Sequence, residues 1–387
     1  MTERSRRVAF FHAYPHQYAG AQRITHAIMR ALPDYGYAAR LFTVDEGPFP
    51  ERLREGGLDV QVVRAPAGWR RYGKAILRRQ ATAAAFVSLP WYWARLSLAL
   101  RRWRPDVLHV NDHRAMLLAA VAGRLARVPV VWHVHGSYRS RAINRFAGIL
   151  SAKIVVNSKA TLAEMPILSE RFGAKVVVVY NSLPPIADLS ASEVAGDGAI
   201  PGTVVVCGAR LHPDKGLDVL VRAASLLLVD HPDLRVVVYG PHQDGYEWHH
   251  RDLLALRAEL GLEEVVSFPG SVDDPTGAWR DAAVYVQPSR VEPFGLAVLE
   301  AMAVGTPVIA SATGGLREII EDGRSGLLVP PEDSAALAAA IDRALTDPAL
   351  AARLSAGGRR RAEDDFSEER MMTRLVTIYR EVASARE

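Results

Sequence analysis

The sequence predicts an α/β protein built from two doubly wound domains, each a parallel sheet covered by helices on both faces. Three observations carry this expectation. The chain has 387 residues, too many for one ordinary core and enough for two domains of roughly 150–200 residues. Short β-branched runs alternate with stretches long enough for crossover helices. The alternation breaks once, at LPPIADLSASEVAGDGAIPG, Leu183 to Gly202, which is rich in Pro, Ala, Ser, Asp and Gly and has no apolar period. The expected bounds are 1–183, a linker over 184–202, a second domain over 203–366, and a C-terminal helix over 367–387.

In the first half, Val8–Phe11 reads as a strand, followed by a loop to Gly20 and a helix from Gln22 to Leu32. Arg40–Val44, Val60–Val63, Val107–Val110, Val130–Val134, Lys153–Val156 and Val176–Tyr180 continue the series. The second half runs through Thr203–Cys207, Leu234–Tyr239, Val265–Phe268, Val284–Gln287, Pro307–Ala310 and Gly326–Val329. The tail, Ser367 to Ala383, has the period of an amphipathic helix. Ligands of such sheets collect at the carboxyl ends of strands, so the chemistry is expected on loops facing a cleft between the domains.

Composition excludes several classes. The apolar fraction is 49% and the charged fraction 23%, ordinary globular values that argue against extended disorder. A net charge of +4 is too small to argue for nucleic acid, although it leaves anionic substrates and membrane surfaces open. The single cysteine, Cys207, rules out an internal disulfide framework and a cysteine-rich zinc site, and a reducing cytoplasm is the simplest setting. MTERSRRVAF has no apolar core of signal-peptide length before His12 and Pro15, so export is not expected. Lysine stands at five positions against forty-two arginines, which makes each lysine conspicuous.

Ala81 to Leu100 is nearly uncharged, with Arg95 the exception. Its small residues, Pro90 and the central arginine make a poor spanning helix, so a buried or amphipathic helix pair is expected. Arg70, Arg71, Lys74, Arg78, Arg79, Arg101, Arg102 and Arg104, with Trp91, Tyr92, Trp93 and Trp103, give 69–104 the makings of a peripheral contact with anionic lipid. The alternative is a solvated basic face over an ordinary core helix.

The sharpest chemical signal is EPFGLAVLEAMAVGTPVIA, from Glu292. Gly295 opens a helix whose members are apolar or small except Glu300. A helix apolar all round is buried, and an ionised carboxylate inside it needs a good partner. The two hydroxyls of a ribose would supply two donors to one carboxylate. Glu292 precedes the helix start, where a side chain can reach a ligand and the amides favour negative charge. The alternative is a helix cap plus a core carboxylate satisfied by protein groups. The second signal is GARLHPDKG, Gly208 to Gly216, between a strand and a helix. Arg210 and Lys215 on this loop could clamp a diphosphate, one as a planar fork and the other as a compact point charge. A surface salt bridge is the alternative.

In the N-terminal half, Ala19-Gly20 precedes a helix and can bring amides to a ligand. VVWHVHGSY places His133 and His135 on one side of a strand end. His135 is the better ligand-facing candidate, and His133 reads as a buried structural residue. With no third ligand at suitable spacing, a metal is not expected. Gly314-Gly315 is either a phosphate-facing turn or an ordinary loop.

Together these segments resemble the retaining glycosyltransferase family 4, which has the GT-B fold of two Rossmann-like domains across a deep cleft. The likeness spans nearly the whole chain and is most specific from Gly208 to Asp333. It implies a nucleotide-sugar donor, UDP-linked with GDP the alternative, no cofactor, no metal, and transfer to an acceptor hydroxyl with retention. It implies that Arg210, Lys215, Gly20 and Gly295 meet the donor diphosphate, and that Glu300 and the backbone of Val272 meet the nucleoside. Glu292, with Phe294, Gly295 and Leu296, would hold the donor sugar, and His135 would orient it, which makes His135 and Glu292 the catalytic candidates. The C-terminal helix would pack back on the first domain.

The chain departs from the family pattern where Ala19-Gly20 replaces two glycines, where Gln22 replaces a glutamate, and at Asp273-Asp274-Pro275-Thr276-Gly277. The acceptor is unknown, with a lipid-linked sugar, a surface polysaccharide and a small secondary metabolite all open. The rivals are a nucleotide-sugar 2-epimerase, an α-glucan phosphorylase relative, and a non-catalytic two-lobed sugar-binding protein.

Overall fold

The computed structural model describes residues 5–66, 69, 79–138, 140–183, 203–243, 245–272 and 275–385. The expected linker over 184–202 lies outside them, as do Asp273, Asp274, Arg70, Arg71, Lys74 and Arg78. The chain divides into two compact units, Met1–Asn181 with Glu369–Glu387, and Ser182–Glu368.

The first unit holds β1 (Arg6–His12), β2 (Tyr37–Thr43), β3 (Asp59–Val62), β4 (Val107–Val110), β5 (Val130–Val134), β6 (Lys153–Val156) and β7 (Val176–Val178). They form one parallel sheet in the order β3-β2-β1-β4-β5-β6-β7. The central strands β4 and β5 are buried at every residue, as expected where helices cover both faces. The second unit holds β8 (Thr203–Gly208), β9 (Leu234–Tyr239), β10 (Val266–Gly270), β11 (Val284–Gln287), β12 (Val308–Ser311) and β13 (Leu327–Val329). Its parallel sheet runs β10-β9-β8-β11-β12-β13. In each sheet the chain order reverses beside the first strand, between β1 and β4 and between β8 and β11. A crevice opens at such a point beyond the strands' carboxyl ends, and both candidate sites lie there.

Each strand expected from the sequence is present, with ends shifted by at most three residues. One expectation is corrected. Ala81 to Leu100 forms no helix pair but part of a single helix, Arg79–Trp103, with Pro90 inside it. Pro90 is on the exposed side, where the carbonyl left without an N–H partner can turn to water instead of breaking the helix. Leu89, Tyr92, Leu96 and Leu100 are buried in one core with Phe11, Leu108, Val110, Trp132 and Val134. Trp93 Nε1 also donates to Leu117 O at 3.0 Å, inside the π-turn Met116–Ala120, where widened helical bonding frees a carbonyl. Among the described residues no helix is long and apolar enough to cross a membrane.

The C-terminal helix, Glu368–Ser384, buries Met371, Met372, Leu375, Val376, Ile378, Tyr379 and Val382. It joins the first unit through these side chains and through Glu381, whose carboxylate is 3.1 Å from Lys153 Nζ.

Candidate active site

In the second unit two loops converge at the switch point. The first follows β8 and carries Arg210 and the 3-10 turn Pro213–Lys215, which leads into helix Leu217–Leu227. The second follows β11 and runs from Pro288 to Gly295, where helix Leu296–Val304 begins. Lys215 Nζ lies 2.6 Å from Glu292 Oε2, and the two side chains are only 14% and 12% exposed. The residues expected to meet the diphosphate and the sugar therefore neutralise each other. Behind Glu292 runs a chain of polar groups. Tyr285 donates its hydroxyl proton to Gln287 Oε1 at 2.8 Å, Gln287 Nε2 donates to Ser289 Oγ at 2.9 Å, and Ser289 Oγ donates to Glu292 Oε2 at 3.2 Å. Burial drives the Tyr285 hydroxyl well above its usual range, so it keeps its proton and the direction of the chain is fixed.

Arg290 ties the two loops together. Its backbone N–H donates to Asp214 O at 2.8 Å, its Nη1 to Pro213 O at 2.9 Å, and both Nη atoms to Asp218 at 2.8 and 2.7 Å. Its Nε reaches Glu332 Oε1 at 2.8 Å. This bidentate geometry is the strong form of the pairing. Partial burial opposes ionisation of Asp218, but the bonds and charge of Arg290 outweigh it and hold the carboxyl below its usual range.

The loop bearing Glu292 and Phe294 is held from its other side. Gly315 N–H donates to Glu292 O at 2.8 Å. Gly314 has φ of +47°, and a Cβ there would stand 2.0 Å from Glu292 O, so only glycine admits this approach. Between the two readings of Gly314-Gly315 made from the sequence, the turn's visible work is to seat the loop. Gly295 has φ of +114°, a region L side chains avoid, and it starts a helix whose first amides lack partners within the helix. The Phe294 side chain is buried against Phe366, which leaves its backbone as the ligand-facing part. Leu296 is the first residue of the helix.

Glu300 is 1% exposed, on a helix buried as its sequence requires. Trp279 Nε1 donates to Glu300 Oε2 at 3.4 Å, a protein partner that the sequence alone does not reveal. Arg210 is exposed and donates through Nη1 to Gln243 Oε1, so it is not brought onto the Lys215–Glu292 pair. Val272 follows β10, at the carboxyl end of an edge strand.

In the first unit, Gly20 is the first residue of helix Gly20–Ala31. Gln22, the departure from the family pattern, accepts the Ala19 N–H at 3.3 Å and donates to Tyr14 O at 3.4 Å. The amide thus folds the preceding loop back on the helix start. His135 follows β5. Its Nε2 is 3.1 Å from Asn111 Oδ1, its carbonyl accepts from Asn157 Nδ2 at 3.1 Å, and burial pushes its ring down to about 3. It is neutral at pH 7. His133 is fully buried and hydrogen-bonded to His109, the structural role expected of it. Burial raises the Asp112 carboxyl to about 6. Among the described residues no three His, Cys, Asp or Glu side chains gather as a metal site.

Sequence reasoning missed Arg290, Asp218, Trp279 and the Tyr285–Gln287–Ser289 chain. One signal was available: Arg290 stands two residues before Glu292, an unexplained charge on a loop already singled out.

Two parallel sheets of this topology, each with its loops gathered at a switch point, place the chain in the GT-B class of fold. The HepE protein of Anabaena, solved with UDP and glucose, superposes with a TM-score of 0.80 over 96% of this chain and 99% of that one, at 23% identity. Sucrose-phosphate synthase from Thermosynechococcus elongatus gives 0.75 over 98% and 100%, at 24% identity. These likenesses concern the fold. Sequence comparison goes further. Residues 201–361 match the model of glycosyl transferases group 1, and residues 19–181 that of the glycosyl transferase 4-like domain. The phosphatidyl-myo-inositol mannosyltransferase of Mycobacterium leprae is 30% identical over 367 residues, 85% of this chain and 94% of that protein. A D-inositol 3-phosphate glycosyltransferase of Saccharomonospora viridis is 40% identical over 195 residues, 48% of this chain and 45% of that protein. The chain belongs to glycosyltransferase family 4.

Proposed function

We propose that this glycosyltransferase takes a sugar from a nucleoside-diphosphate donor, UDP-linked, and passes it to an acceptor hydroxyl with retention and without a metal. The observation that carries this reading is the Lys215–Glu292 pair beside the helix start at Gly295. A donor diphosphate would draw Lys215 from Glu292 and release the carboxylate to accept from sugar hydroxyls. Arg210 would swing from Gln243 to the other side of the diphosphate, and the Gly20 and Gly295 helix starts would add backbone donors. These groups stabilise charge on the leaving diphosphate, the role that elsewhere falls to a metal ion. Glu300 would accept from the ribose, the Val272 backbone would meet the base, and Phe294 and Leu296 would offer amides to the sugar. His135, whose burial lowers its affinity for a proton, would orient the sugar and not act as an obligatory base. UDP is supported by the fold shared with HepE, whose structure holds it.

The acceptor is a hydroxyl on a lipid-linked sugar, a polysaccharide or a small metabolite. The names of the two curated relatives make myo-inositol, its 3-phosphate and phosphatidylinositol the first to test. A membrane-bound acceptor has some physical support. No Asp or Glu occurs between Asp59 and Asp106, and Val87, Trp91 and Leu98 are exposed at helical spacing on one face, with Arg95 stacked on Trp91 at 4.5 Å. Such a face suits an anionic interface.

The test is UDP release across a nucleotide-sugar panel, with and without acceptor. Release from one donor, raised by one acceptor class with the anomeric configuration kept, supports the reading. Conversion of the donor to a sugar epimer without acceptor would establish the 2-epimerase instead.

A further inference from the structure

The N-terminal sheet buries three histidines next to His135 or beside its partners, and the donor chemistry above uses none of them. Strand register explains how they meet. Phe10 pairs with His109, and His109 with Val131. Side chains two apart share a face, so His12, His109, Asn111, His133 and His135 fall on one side of the sheet. The opposite side is the apolar one, with Phe11, Leu108, Val110, Trp132 and Val134. Burying an imidazole without partners is costly, and here the partners form a line. Tyr379, from the C-terminal helix, places its hydroxyl 2.6 Å from His109 Nδ1. His109 Nε2 is 3.2 Å from His133 Nδ1. The His133 ring packs on His135 with centroids 4.0 Å apart, and His135 Nε2 meets Asn111 Oδ1 at 3.1 Å.

Burial holds the Tyr379 hydroxyl well above its usual range, so it keeps its proton and can pair with His109 Nδ1 as donor or as acceptor. A neutral imidazole has one N–H, so the line runs in one sense throughout: either Tyr379 donates and both rings carry Nε2–H, or both rings carry Nδ1–H and His109 donates to the Tyr379 oxygen. Asn111 Oδ1 can only accept, so His135 is the Nε2–H tautomer and presents Nδ1 as an acceptor.

We propose that Tyr379, His109 and His133 are positioning residues, a hydrogen-bonded relay through which the C-terminal helix sets the ring plane of His135. The proposal rests on the reading of His135 as the residue that orients the sugar. Its consequence is that a side chain 244 residues downstream of His135 tunes turnover without touching substrate.

The experiment combines imidazole tautomers, read from long-range 1H–15N correlation spectra, with UDP release from UDP-glucose at a temperature well below unfolding. In the wild-type protein His109 and His133 should each show a single tautomer, the same in both rings. Tyr379→Phe removes one oxygen and keeps the ring, which lies edge-on to Tyr37. It should leave His109 and His133 with mixed tautomers and lower kcat about tenfold with KM for the donor little changed, the signature of lost orientation and not of lost binding. His109→Gln keeps an amide donor toward His133 and should retain most of kcat, whereas His109→Phe should not. Wild-type kcat in Tyr379→Phe, or unaltered tautomers, would overturn the relay even if thermal stability fell. If no nucleotide sugar of the panel releases its nucleotide with the wild-type protein, the donor reading fails while the tautomers still decide the relay.

Discussion

The two sheets share one topology around their switch points, yet their strand ends carry opposite kinds of chemistry. Beyond β8 and β11 the groups are charged and paired: Lys215 with Glu292, and Arg290 with Asp218 and Glu332. At the carboxyl ends of β1, β4 and β5 they are mostly neutral and buried: His109, Asn111, His133, with His135 beside them. The fold supplies only a crevice, and side chains decide what enters it. A charged, mutually neutralised set is suited to exchange its internal partner for an anion. A neutral set is suited to hold hydroxyls in a fixed direction without attracting charge.

The contrast can be broken by variants and by pH. The largest effect is expected for Lys215→Ala, which removes a donor aimed at leaving-group charge. Donor turnover should fall about 10²–10³-fold, and near-normal kcat would remove Lys215 from the site. Next comes acid sensitivity of the N-terminal unit. Burial pushes His12, His109 and His135 down to about 3, so they stay neutral in the folded chain and take up protons near pH 6.5 on unfolding. Stability is thus complete above pH 6.5 and is lost as pH falls toward 3, at about 1.4 kcal/mol per pH unit for each ring. Asp112, raised to about 6, works in the opposite sense and offsets one ring. Asp218, held low by Arg290, contributes stability that is lost only below its ordinary range. Urea unfolding followed from pH 7 to 5 should therefore show the N-terminal unit, with its fully buried histidines, weakening first, ahead of the unit whose His212, His249 and His250 are also pushed down but less deeply enclosed; equal loss in both units would contradict the contrast.

Smaller effects sharpen it. Glu300→Gln keeps one acceptor and should weaken UDP binding about tenfold by calorimetry, roughly one charge-assisted bond; unchanged affinity would return Glu300 to the core. Arg290→Met should cost about 1–2 kcal/mol in urea, modest because the pair is partly exposed and screened, and should raise KM for the donor as the loops separate. The least effect is expected for Trp91→Ala, which should lower cosedimentation with vesicles containing anionic lipid and leave UDP release unaltered.

Much of this was legible in the sequence because strands of buried parallel sheets announce themselves as β-branched runs. Even Glu300 was marked, as one charge in an otherwise apolar helix. The helix Arg79–Trp103 was misread as two because a proline inside a helix usually ends it, and only the exposure of Pro90 shows why this one does not. Spacing of two in VVWHVHG put His133 and His135 together, but nothing local could join Tyr379 to His109, which lie 270 residues apart. Arg290 escaped for a similar reason, since its partner Asp218 is 72 residues away. Local pattern reveals elements and isolated charges, whereas partners set by packing appear only with the fold.

The most direct test of the account is a crystal structure with UDP bound. The expected result is Lys215 Nζ withdrawn from Glu292 and within hydrogen-bond distance of a diphosphate oxygen, with Arg210 on the other side and Glu300 on the ribose. Lys215 still held by Glu292, with Arg210 turned to solvent beside a bound nucleotide, would contradict it.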